Sequence, residues 1–154
     1  MSIKRVELYV VFKFINAIYR ALIEEVGEDS WDILWRSGEL LFEELREEVG
    51  IEKGMEINKA VQLLGDYLRR LGMIERMEFK FDDENMIVET VVKFPFEIES
   101  FKREAAGPIY IFASMLVSML NYLGFSVERY GEHYILEKDK LVERWKLRKM
   151  KKST

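Results

Sequence analysis

The chain has 154 residues, 49% of them hydrophobic and 34% charged, with a formal charge of −4 and no cysteine. That length and composition describe one folded domain with a proper core and exclude disordered and fibrous chains. The acidic balance leaves no broad basic surface for nucleic acid, and the missing thiols exclude disulfides, thiolate metal sites and cysteine nucleophiles, as fits an intracellular, cytoplasmic protein.

The opening MSIKRVELYVVFKF has no apolar core ending in a small-residue cleavage site, so no signal peptide is expected. From Lys4 to Val26 the polar residues Lys13, Asn16, Arg20 and Glu24 recur at three- and four-residue steps and draw one narrow stripe on a helix. The rest of that circumference is apolar, so such a helix needs cover on two sides. Its early part, VELYVVF, equally suits a strand.

A second helix is expected over Ser30 to Val49, capped by Asp29 or Ser30, with Trp31, Leu34, Trp35, Gly38, Leu41, Phe42, Leu45 and Val49 on one face. Gly38 within that face costs stability unless a backbone or a ligand needs the room. A third helix, Glu56 to Leu71, ends at Gly72.

The period then changes to two. Met77, Phe79 and Phe81 alternate with charges, DDEN at 82–85 turns the chain, and Val88, Thr90, Val92 and Phe94 return. Ile109 to Leu123 is nearly all apolar but falls short of the roughly 18 uninterrupted apolar residues of a membrane span. Ser114, Ser118 and Asn121 form a slim polar stripe on it, either a close helix contact or the polar edge of a pocket. Phe125 to Tyr130 reads as a strand, Gly131 and Glu132 as its turn, and HYILE as the last strand. Asp139 then starts a short basic terminal helix or tail, 139–154, beside a single domain at 1–138. The expected fold is α+β, an antiparallel sheet of about four strands in two hairpins with helices on one face.

Three stretches resemble the 4-vinyl reductase domain family, whose superfamily includes the core subunits of the TRAPP vesicle-tethering complex. They are RALIEEVGEDSWDILWRSGELLFEEL, YLRRLGMIERMEF and AAGPIYIFASMLVSMLNYLGFSVERYGEHYILEK, and the resemblance spans Arg20 to Lys138. It implies a domain that dimerises through its helices and holds an apolar small molecule or acyl chain. Related domains sense aromatic effectors, assist pigment biosynthesis or act as tethering scaffolds. Many members carry cysteines around the last hairpin, where VERYGEHYILE offers His133 and acids but no thiol.

His133, the one histidine, has no cysteine or second histidine to work with, and nothing nominates a catalytic set, a metal site or a cofactor. The acidic pairs, Asp82–Asp83 among them, suit solvated helix faces and a turn, without Ca²⁺-loop spacing. The tail RWKLRKMKK is a solvated end, or a contact to anionic lipid or nucleic acid with Trp145 as an apolar anchor. A single glutamine, Gln62, among many charged residues resembles a thermophile's composition. The first expectation is a non-enzymatic homodimer holding an apolar small molecule between helices and sheet, lined by Trp31, Trp35, Phe42, Tyr110, Ser114 and Met115. The second is a scaffold with no cavity, whose helix around Tyr9 to Leu22 meets a protein partner.

Overall fold

The computed structural model describes residues 8–96 and 107–150; within these, the side chains at 8, 9, 12, 107–110, 129 and 131–136 fall outside the description. Among the described residues four α-helices and four strands follow in the order α1 (Leu8–Val26), α2 (Ser30–Val49), α3 (Ile57–Arg70), β1 (Arg76–Asp82), β2 (Ile87–Lys93), α4 (Gly107–Tyr122), β3 (Phe125–Glu137) and β4 (Lys140–Lys149). A single 3₁₀ turn, Gly27–Asp29, links α1 to α2, and Ser30 Oγ donates to the Gly27 carbonyl at 2.7 Å. Gly50 closes α2 at φ 88°, a left-handed conformation that a side chain disfavours.

The strands form one antiparallel sheet in the order β1-β2-β4-β3. The fold is therefore α+β with two hairpins, as the sequence suggests. In the first hairpin Asp82 organises its own turn: its carboxylate accepts from the Glu84 and Asn85 amides and from Asn85 Nδ2 at 2.8 Å. Those hydrogen bonds, the Asn85 side chain's first, hold the Asp82 carboxyl below its ordinary value.

The second hairpin corrects the expectation. β3 runs through Gly131 and Glu132 without turning, and its pairing with β4 only shifts register between Arg129 and Tyr134. The turn falls at Lys138 and Asp139, where Lys138 takes φ 54°. The expected terminal helix is instead β4, which lies between β2 and β3, so 139–149 belongs to the same domain as the rest. Trp145 is in the core, 3% exposed, and cannot serve as a membrane anchor. No helix among the described residues is long and apolar enough to cross a membrane.

The core lies between this sheet and the helices. Val88 and Val92 of β2 and Leu141 and Leu147 of β4 meet Leu64 and Leu68 of α3 and Leu116, Met119 and Leu120 of α4 in one buried cluster. α4 is buried on its other side by α2, and α1 lies outside, against α2 and α4. Leu71, the expected last residue of the third helix, is 54% exposed just beyond it.

Candidate functional site: the α2–α4 contact and its groove

The apolar face of α2 and the small residues of α4 meet at Gly38 and Ser114, both buried. A Cβ on Gly38 would lie 2.5 Å from Ser114 Cβ and 2.6 Å from the Ile111 carbonyl oxygen, far inside contact distance. Glycine is there because the α4 backbone occupies the space. Ser114 Oγ donates to the Trp35 carbonyl, an acceptor already within α2, so the hydroxyl ties one helix to the other.

The six residues expected to line a ligand site are thus distributed over different environments. Met115, 2% exposed, belongs to the core against the sheet, and Ser114 is occupied by Trp35. Trp35 is half-buried on the core's margin. Trp31 is 41% exposed and packs edge-on against Tyr19, with ring centroids 5.4 Å apart. Tyr110 lies on α4, with its side chain outside the described residues, as is that of His133 on β3. Phe42 borders an open groove.

That groove, about 590 Å³, runs between α2 and α4 on the side away from the sheet. Glu39, Phe42, Glu43 and Arg46 line it from α2, and Ser118, Asn121 and Tyr122 from α4. The polar stripe read in the sequence therefore divides. Ser114 makes the close helix contact, while Ser118 and Asn121 face the groove. Arg46 closes one end by donating to the Tyr122 hydroxyl at 2.6 Å, its guanidinium carbon 4.8 Å from the ring centroid. Phe42 meets the same ring edge-on at 5.8 Å. The result is an amphiphilic trough with an aromatic end, two carboxylates on one wall and small hydrogen-bonding groups on the other.

A second polar feature lies inside the sheet–helix core. Glu143 on β4 is fully buried and sits directly across from buried Thr90 on β2. Trp145 Nε1 donates to Glu143 Oε2 at 3.3 Å, while Glu143 Oε1 and Thr90 Oγ1 have no hydrogen-bond partner among the described residues. Burial pushes the Glu143 carboxyl from 4.5 up to about 8, opposed only by the Trp145 hydrogen bond, so it is a neutral acid at pH 7. Sequence reading missed this residue because it placed 139–154 in a helix or tail, where a glutamate needs no explanation. Among the described residues no cluster of three or more acidic or histidine side chains is placed to hold a metal. No family model matches the chain, and no curated protein matches it.

Proposed function

We propose that this domain is a self-associating interaction module, a scaffold whose α1 face is covered by a second copy. The observation that carries this reading is the outward face of α1. Phe14 is 65% exposed and Ile18 60%, with Val10 at 38% and Val11 at 36%, all on one helix. Only Tyr19 among the described α1 side chains is fully buried, with Ile15, Asn16 and Leu22 partly so. An apolar strip of this length in water is expensive, and such patches ordinarily mark an interface.

The pattern of the strip favours a second copy. Val10, Phe14, Ala17 and Ala21 follow a four-three-four spacing, the seam of a helix pair, and the two alanines admit a bulky opposing side chain. Lys13 and Glu24 lie along the same border of that seam, near its two ends. An antiparallel two-fold pairing would bring Lys13 towards Glu24 of the second copy and Phe14 towards Ala21, whereas a parallel pairing would set like against like. The resemblance to a family that dimerises through helices supports the same reading.

The test is the mass in solution of Phe14→Glu. The variant is expected to lose the parent's α1-mediated association while circular dichroism stays unchanged, because Phe14 contributes little to the fold. A variant that associates as tightly as the parent would remove α1 from the interface. The α2–α4 groove supports a second reading, a small amphiphilic ligand held beside Phe42, Ser118 and Asn121. Native mass spectrometry of the purified protein tests it directly: a reproducible adduct of one per subunit supports the ligand, and a bare chain supports the scaffold.

A further inference from the structure

β1 is an edge strand, paired to β2 on one side only among the described residues. Edge strands offer unpaired backbone groups to any passing strand, and proteins usually blunt them with proline, bulges or repelling charge. Of these defences β1 has only charge, and that charge is of both signs. Its sequence RMEFKFD contains no proline, and its register with β2 runs from Arg76↔Lys93 to Asp82↔Ile87 without a shift.

The charges on β1 alternate in sign. Arg76, Glu78, Lys80 and Asp82 are exposed on one face, while Met77, Phe79 and Phe81 are half-buried on the other. Side chains directly opposite each other in an antiparallel pair share a face, so this pattern can be tested against itself. With a two-fold axis at Phe79, Arg76 meets Asp82 of a second copy, Glu78 meets Lys80, Met77 meets Phe81, and Phe79 meets its own counterpart. Sliding that pairing by two residues sets Glu78 against Glu78 or Lys80 against Lys80, and parallel pairing sets every charge against its like. One full-length register satisfies all the charges.

We propose that β1 pairs antiparallel with β1 of a second copy, joining two four-stranded sheets into one of eight strands. The present Arg76–Glu78 contact, 3.2 Å within one strand, is exposed on both sides and is exchanged at little cost. A groove of about 300 Å³ beside the edge, between Gln62, Gly65 and Arg69 of α3 and Met77 and Phe79 of β1, leaves room for the incoming apolar side chains. This contact uses a different element from α1 and stands or falls separately.

The experiment is sedimentation equilibrium of the full chain carrying Phe14→Glu, so that the α1 contact is absent. That chain is expected to retain self-association. Adding Lys80→Glu should weaken it about tenfold, since two Glu78–Lys80 pairs become repulsive, and the swap Glu78→Lys with Lys80→Glu should restore it. Three outcomes overturn the proposal: a Phe14→Glu chain that stays monomeric up to about 1 mM, a Lys80→Glu variant that associates unchanged, or a double swap as weak as the single change. Should Phe14→Glu leave the mass of the parent unaltered, the α1 reading fails while the charge series still decides this one.

Discussion

α1 and α4 are the two greasiest helices of the chain, and they have opposite fates. α4 is enclosed by the sheet and by α2, with Leu116, Met119 and Leu120 at 0% exposure. α1, 19 residues long, buries one narrow side and leaves Phe14 and Ile18 mostly in water. An apolar circumference therefore demands cover without saying whether the same chain supplies it. α4 finds its cover in the fold; α1 has the composition of a buried helix and the surroundings of a surface one.

Five substitutions sharpen that contrast. Leu120→Ala in α4 should cost about 2–5 kcal/mol, because its site is enclosed on all sides and collapses poorly. Gly38→Ala drives a methyl into Ser114 and the Ile111 carbonyl and should cost about 1–3 kcal/mol; adding Ser114→Gly should recover part of that loss. Urea denaturation reads both. Buried on β4, Glu143 is protonated in the folded chain up to about 8 but ionises near 4.5 when unfolded. The folded state thus binds the extra proton between those values, and stability falls as pH rises, by about 1.4 kcal/mol per unit. Denaturation at pH 5, 6, 7 and 8 should show this slope in the parent and its absence in Glu143→Gln. Phe14→Glu should change the unfolding free energy of the isolated subunit by under about 0.5 kcal/mol, the range of a surface site. A large loss there would make α1 a core helix after all and erase the contrast.

Much of this fold is legible in the sequence wherever a period runs undisturbed. The second helix begins and ends where its apolar spacing places it, although the expected cap Asp29 makes no side-chain capping hydrogen bond and Ser30 bonds back to Gly27 instead. The first hairpin follows from strict alternation. β4 was hidden by one residue. Its inward row is Leu141, Glu143, Trp145 and Leu147, and a glutamate inside that row breaks the apolar alternation. A dense set of basic residues on the other face completed the impression of a solvated tail. Gly131–Glu132 has the more turn-like chemistry, yet the chain turns at Lys138–Asp139, and Gly131–Glu132 falls within the register shift between Arg129 and Tyr134.

The site was legible in a different proportion. Gly38 and the Ser114–Ser118–Asn121 stripe announce a close contact and a polar border, both carried by residues whose type is unusual for their position. Arg46 and Tyr122 meet across a separation of 76 residues, and no local pattern announces that. Met115 illustrates the general limit: helical spacing shows that a residue faces inward, while what it faces depends on the assembled layers.

The strand order carries a consequence for how this protein is made. β4 comes last among the described strands but sits inside the sheet, so Ile87 of β2 is paired with Lys146. A ribosome delivers the chain from its N-terminal end at about 5–20 residues per second. The β1–β2 hairpin therefore emerges with both of its edges open, and α4 is delivered before the sheet that must cover it is whole. Until 140–149 arrives, the nascent chain presents a sticky ribbon and an unshielded oily rod at once. The interval between those two events is where a chaperone would find its grip, and where neighbouring chains on one message would most readily exchange strands.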